Sequence, residues 1–322
     1  NKILALLATL GLVASASAVE INENLSINGF IDASYHDDDR DGTEHDLGLD
    51  EVELNFLFNN GAVSGEVHLD NTGMDHGGGV LEIEQAFMSY SVNDALTISL
   101  GRMASGLGLE KEDPGGLFTY SRAYGNEAFN LGNVDAENNN GTHALEGLRL
   151  GFANDVFSGA LTLYSGDALD NEDLDVEVSL AYTGIENLVL GGGARFDNEA
   201  AAADEVEVIN LFATYTAGKA LLGFEYVQLD DAQLGQGEAD AYTILVDYDF
   251  TEKLGGAIRY SDNEAAAAVA NGWAGSADNY EKFTIAPNYA ITDNLGAILE
   301  YSDVDNGLVD ANEIALEFTY TF

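Results

Sequence analysis

The stretch NEIALEFTYTF, residues 312–322, alternates without a break. Ile314, Leu316, Phe318, Tyr320 and Phe322 share one parity; Ala315, Glu317, Thr319 and Thr321 share the other. Successive side chains of a strand point to opposite faces, so this segment reads as a strand with one greasy and one polar face. A soluble sandwich could show the same pattern. A strand that stops on an aromatic residue is more distinctive, and it asks which solvent the greasy face meets.

The same period recurs back along the chain. Leu25, Ile27, Ile31, Ala33 and Tyr35 form one set, Val52, Leu54, Phe56 and Phe58 another, Ile209, Leu211, Ala213 and Tyr215 a third. The connections alternate as well. NNG (59–61), VNDA (92–95), ANDV (153–156), AGK (217–219), FTEK (250–253) and ITDN (291–294) are tight turns rich in Asn, Asp and Gly. Between them fall longer connections: 37–47, 70–79, 104–142, 166–173, 198–204, 230–239, 262–279 and 303–311. Short turns at one end and long loops at the other are the layout of a membrane-spanning barrel. The fold expected is all-β: an up-and-down antiparallel transmembrane β-barrel of about sixteen strands, an even number as such barrels require. Parity slips near 61–69 and 80–91, and Pro287 sits mid-strand, where a missing ladder donor suggests a bulge. Tyr182, Tyr226, Tyr260, Tyr289, Tyr301 and Tyr320 lie on greasy faces near strand ends, as an aromatic girdle would.

The N-terminal run NKILALLATLGLVASASA, residues 1–18, has a Lys, an apolar core and a small-x-small end. It reads as a cleavable signal peptide, leaving residues 19–322 as one barrel domain. Length agrees: 322 less 18 leaves 304 residues, or ~19 for each strand with its connection, enough for spanning strands of about ten. The formal net charge is -46, from 57 Asp+Glu and 11 Lys+Arg, and there is no cysteine. Such a chain disfavours nucleic acid and has neither a disulfide framework nor a thiolate metal site.

With so few basic residues, their placement carries information. Arg149, Arg195, Arg259 and Lys282 fall on the polar parity, which on a barrel is the lumen. A lipid-facing Arg at midplane would cost ~2–4 kcal/mol. Arg102 has the greasy parity by strict alternation, but Gly101 beside it could bulge and turn it inward, so it joins the expected basic wall. The longest connection, Gly101 to Thr142, carries Leu117, Phe118, Tyr120, Tyr124 and Phe129, suited to packing, and the acids Glu110, Glu112, Asp113 and Glu127. If that loop enters the barrel, its acids face the basic wall and set a field across the pore. Otherwise it is an external loop with solvated charges.

These segments together resemble a Gram-negative porin, and more narrowly the OmpL-like β-barrel porin family. The resemblance rests on INGFIDASY (27–35), LTISLGRMASGLGLE (96–110), FTYSRAYG (118–125), GTHALEGLRLGF (141–152) and the aromatic end, and spans essentially the whole chain after the signal. It implies an outer-membrane porin for passive diffusion of ions and small hydrophilic solutes, often a homotrimer. It implies a third extracellular loop folded into the lumen, with Glu110, Glu112, Asp113 and Glu127 at the constriction. It also implies that Phe318, Tyr320 and Phe322 address the barrel-insertion machinery, with outer-membrane lipid around the wall.

An enzyme would need a nucleophile and base on the wall; neither HLD (68–70) nor HAL (143–145) puts a Ser two residues after the His. GGGAR (191–195) lacks the Lys-Ser/Thr and the strand–helix setting of a phosphate loop, and reads as small lumen residues. A non-conducting adhesin or structural surface barrel using the acidic loops is the alternative to a channel. The acidic stretch HDDDRDGTEHD (36–46) opens like a calcium loop at Asp37, Asp39 and Asp41. The twelfth position is Gly48, not the bidentate Glu an EF-hand needs. It therefore reads as a barrel loop whose acids are solvated or weakly bridged by Ca2+; no firm cofactor is expected. The net charge predicts a cation-preferring pore whose bias weakens as salt rises.

Overall fold

The structure is a computed structural model that describes residues 18–39, 45–72, 80–111, 113–125, 129–132, 144–165, 174–198, 205–231, 237–264, 280–305 and 310–322. The segment read as a signal peptide lies outside them, save Ala18. In chain order the strands are β1 Val19–Asn22, β2 Leu25–Asp38, β3 Asp46–Asn60, β4 Val63–Thr72, β5 Val80–Ser91, β6 Leu96–Met103, β7 Leu145–Ala153, β8 Phe157–Ser165 and β9 Asp175–Ile185. They continue as β10 Leu188–Asn198, β11 Glu205–Ala217, β12 Ala220–Asp231, β13 Gly237–Tyr248, β14 Leu254–Asn263, β15 Tyr280–Ala290, β16 Leu295–Asp305 and β17 Asp310–Thr321. Each of β2 to β17 pairs antiparallel with its neighbours in sequence. The sheet closes through β17 on β2, Leu316 opposite Tyr35 and Phe318 opposite Ala33. The result is a closed barrel of sixteen strands with no edge left to aggregate. The short β1 pairs with the start of β2, Val19 opposite Ile27. It prolongs the edge on which Phe322 and Gly29 exchange both backbone hydrogen bonds.

Alternation decides what each face meets. On β17, Ile314, Leu316, Phe318 and Tyr320 are 37–48% exposed, while Ala315 and Glu317 are buried. The same holds on β11, with Leu211 and Tyr215 outside and Val208, Asn210 and Phe212 inside. Large apolar side chains stand exposed on every strand from β2 to β17 while carboxylates and arginines are buried. That inverts a soluble protein, and matches a barrel in hydrocarbon.

The connections at one end are short, and several close by one device. A single side-chain oxygen accepts two backbone N–H groups: Asn93 from Ala95 and Leu96, Asn154 from Val156 and Phe157, Thr251 from Lys253 and Leu254, Thr292 from Asn294 and Leu295. Such Asx and ST turns replace the backbone partners a hairpin tip lacks. Between β9 and β10 the turn uses Asn187 at φ 63, a left-handed position Asn tolerates.

Pro287 corrects one expectation. The ladder from β15 to β16 passes from Ile285–Tyr301 to Asn288–Ile298, so the rungs at residues 286 and 287 are missing. The offset is the same on both sides, so there is no bulge. Proline removes a donor without inserting a residue, and the two flanking hairpins hold the register. Real bulges lie elsewhere. Between β2 and β3 the pairing moves from Asp32–Glu51 to Ala33–Leu49, leaving Asp50 extra. Between β4 and β5 it moves from His68–Gln85 to Leu69–Ile83, leaving Glu84 extra.

Candidate functional site

The inward face of the wall is polar and mostly acidic. Its buried carboxylates include Asp32, Glu53, Asp70, Glu84, Glu177, Glu225, Glu300 and Glu317; its buried cations are Arg195, Arg259 and Lys282. The segment after β6 runs along this face and is fixed to it residue by residue. Ser105 Oγ donates to Glu177 Oε2 at 2.6 Å and the Gly106 N–H to Glu177 Oε1 at 2.7 Å, on β9. The Gly108 N–H donates to Asn210 on β11, and the Leu109 N–H to Glu225 on β12. At β14, Arg259 Nη1 meets both oxygens of Glu110 at 2.9 Å, and its Nη2 donates to the carbonyls of Ser121 and Arg122 at 2.7 Å. Ser121 donates twice more to Glu300 on β16. Buried backbone donors need acceptors, and the wall carboxylates supply them where no strand is available.

Apolar packing backs these bonds. Leu107, Ala123, Tyr124, Phe129 and Leu131 of the segment form a buried cluster with Val208, Val227, Leu229, Ala239 and Ala241 of β11 to β13. Room for it is made in the wall: a Cβ on Gly193 would stand 2.8 Å from Leu107 Cδ2 and 1.9 Å from Val178 O. GGGAR is thus small wall packing: Gly191 and Gly192 are set by Phe212 and the Asn210 carbonyl of β11, and Gly193 by β9 and Leu107.

Three residues beyond Glu110, the chain reaches a different part of the wall. Glu51, Glu53 and Asp113 bring carboxylate oxygens within 4.8 Å of one another. Tyr120 accepts from Ser34 on β2 and stacks on His36, ring centroids 6.1 Å apart. Three residues extend by at most about 10 Å. Glu110 is thus held on β14 while Asp113 lies beside β3, so the segment bridges two parts of the wall. Burial, then Glu53 and Glu84, push the Asp113 carboxyl well above the usual range. Lys111 between them donates to the Leu107 carbonyl, and burial pulls its amine down to about 8.

The predicted basic residues separate on inspection. Arg149 is inward, donating to Thr162 Oγ1 and to the Ala104 carbonyl. Arg195 pairs with Asp197 at 3.2 Å, and Lys282 with Glu313 at 3.1 Å. Arg259 meets an acid of the inserted segment, Glu110, in a contact pair and not across a gap. Arg102 leaves the set: it pairs with Glu146, on the parity of exposed Leu100 and Leu148. Gly101 does take φ +139, because a Cβ there would meet Ala86 O at 2.2 Å, but the ladder keeps its register through Arg102. Arg102 satisfies itself through Glu146 and the Glu84 carbonyl.

Of the loop acids, Glu112 and Glu127 lie outside the described residues, as does Asp41. Asp37 lies beside His45. Asp39 accepts from both nitrogens of Asn312, which holds its carboxyl below the ordinary value. Phe318 and Tyr320 project outward, and the rings of Tyr320 and Phe322 lie 6.1 Å apart.

The wall acids that anchor the segment, Glu177, Glu225 and Glu300, were not singled out from sequence, although each has the polar parity of its strand. The cluster of Glu53, His68 and Glu84 was hidden further, because the extra residue in β5 reverses parity there. Leu81 and Ile83 face out before it, Met88 and Tyr90 after it.

Comparison with known proteins agrees with the barrel fold. The sequence model of a family described as "Putative beta-barrel porin-2, OmpL-like" matches residues 17–313. The fold is similar to OmpF of Salmonella typhi, solved in complex with daunomycin, at TM-score 0.70 and 14% identity, covering 95% of this chain and 100% of that one. An anion-selective porin from Comamonas acidovorans gives TM-score 0.63 at 12% identity, covering 92% and 99%. A trimer form of OmpT from Vibrio cholerae gives 0.62 at 13%, also covering 92% and 99%. No curated protein matches.

Proposed function

We propose, because the chain belongs to the OmpL-like beta-barrel porin-2 family, that this outer-membrane barrel is a diffusion channel whose constriction is the stretch from Glu110 to Asp113, and that it prefers cations. The reading is supported by one observation: within three residues the segment passes from bonds with Arg259 on β14 to the carboxylates of Glu51 and Glu53 on β3. Water and small hydrophilic solutes pass beside that stretch by diffusion, and the buried wall acids enrich cations there. Arg195, Arg259 and Lys282 offset this cation preference little, since each already touches a carboxylate. The long loops face the exterior, and the functional unit is a homotrimer, as in the trimer form of OmpT from Vibrio cholerae.

Single-channel recording in planar bilayers tests this. Discrete conductance steps are expected, with a reversal potential of cation sign in a KCl gradient that shrinks as both salt concentrations rise. Folded protein that never conducts would leave the non-conducting surface barrel, and anion sign would overturn the selectivity alone. Cross-linking in detergent should give a band at three times the monomer mass.

A further inference from the structure

One group of side chains inside the barrel is not needed to hold the inserted segment's backbone. On β4, His68 turns inward between two carboxylates from its neighbours. Its Nδ1 stands 3.1 Å from Glu53 Oε1 on β3 and 3.6 Å from Glu84 Oε2 on β5. Yet neither oxygen of Glu53, a residue 1% exposed, receives a well-formed hydrogen bond, and nor does Glu84 Oε2. The other ring nitrogen, Nε2, lies 3.1 Å from Glu66 Oε2, and the Gln85 amide nitrogen lies 3.4 Å from Nδ1.

Carrying both protons, His68 pairs with Glu53 and Glu84 through Nδ1 while Nε2 holds Glu66. When the Nδ1 proton leaves, Nε2 keeps its own on Glu66 and Nδ1 presents a lone pair beside two buried carboxylate oxygens, so three acceptors converge. Converging acceptors favour a cation among them, and an ion bound there takes the proton's place. A carboxylate on the far nitrogen of a histidine is also the arrangement that orients and strengthens a metal-bound imidazole. Two ligands on a zinc-sized ion lie about 3.0 to 3.4 Å apart at bond lengths near 2.1 Å, close to the separation of His68 Nδ1 and Glu53 Oε1. The β5 bulge supplies the last part, since Glu84 is its extra residue and is brought inward beside Gln85. Bulges that re-aim a side chain are common next to functional sites.

We propose that Glu53, His68 and Glu84 bind a divalent first-row transition ion of the zinc type. A nitrogen ligand with two carboxylates suits zinc, and disfavours calcium and magnesium, which take oxygen. Asp113 adjoins through Glu53. The ion thereby ties the inserted segment to the β3–β5 wall, in addition to the tie that Arg259 makes.

The test uses the full chain, folded in detergent and stripped with a chelator. Calorimetric titration with zinc chloride should give one saturable site per chain, bound at least about a hundredfold tighter than calcium. His68→Gln and the double variant Glu53→Gln/Glu84→Gln, with β-sheet circular dichroism intact, should each weaken zinc by about a hundredfold. Should those variants not fold, X-ray absorption at the zinc edge of the wild-type protein reads the ligands directly, and one imidazole with oxygen neighbours is expected. Absence of a stoichiometric zinc site, equal affinity for calcium, or a shell without imidazole overturns the proposal.

Discussion

Two sides of the lumen wall solve the same problem differently. From β9 to β17 the inward polar groups are matched: Glu177, Asn210 and Glu225 accept backbone N–H groups of the inserted segment, and Arg259 and Lys282 neutralise Glu110, Glu300 and Glu313. From β2 to β5 the acids are as deeply buried, but Lys and Arg are absent from residues 41 to 101, and Glu53 and Glu84 look onto a histidine. A buried charge is tolerated when paired and costly when not. The first side is therefore built to hold a piece of its own chain. The second is left to take its positive charge from outside the sequence, as protons, permeating cations or a bound ion.

The sharpest way to break the matched side is Arg259→Ala. It removes every donor that Arg259 gives to Glu110, Ser121 and Arg122 and leaves a half-buried carboxylate alone, a loss of about 3–5 kcal/mol. The thermal midpoint should fall, and trypsin should cut the folded barrel at Lys111 or Arg122. Retained protease resistance would mean the segment is held by its apolar cluster instead.

Lys111 gives a pH test on the same side. Its amine is held at about 8, below the ordinary 10.5. Between those values the unfolded chain binds the proton and the folded chain does not, so stability rises with pH from about 8 to about 10.5 and is lowest below it. In Lys111→Met that rise should vanish from the melting curve measured across this window.

Selectivity compares the two sides directly. A charge about 8 Å from a passing ion in water is worth ~0.5 kcal/mol, or about twofold in permeability ratio. Glu53→Gln/Glu84→Gln should lower the cation-to-anion ratio by about that much. Arg195→Gln should raise it by less, because Asp197 already screens that charge. Equal and opposite shifts would show that the contact pairs do not matter to ions in transit.

The smallest effect belongs to neither side. Asp39→Ala removes two exposed hydrogen bonds to Asn312, and should leave the midpoint within about 2 °C of wild type.

Much of this was legible in the chain. Alternation through strands such as 312–322, with the short and long connections, is enough for a barrel of about sixteen strands, because a strand's period of two and the bilayer's thickness fix both face and length. Arg149, Arg195, Arg259 and Lys282 were assigned inward for the same reason. The failures have a local cause. The slip of parity near 80–91 marks β5 as irregular but does not say which residue is extra, which the ladder shows to be Glu84, and Pro287 suggests a bulge that a missing donor alone does not make. Arg102 was moved inward on the strength of Gly101, whereas an outward arginine near a strand end is satisfied by one acid across the ladder.

Sequence by itself determined which residues face lipid and which face the lumen wherever alternation runs unbroken, since that is a property of each strand taken alone. Tertiary structure alone decided who meets whom inside. Glu110 and Arg259 are 149 positions apart, and they lie near Asp113 and Glu53 because the barrel closes β17 onto β2 and brings β14 round toward β3. Closure turns a list of inward side chains into a ring, and only on a ring can one short segment touch two walls.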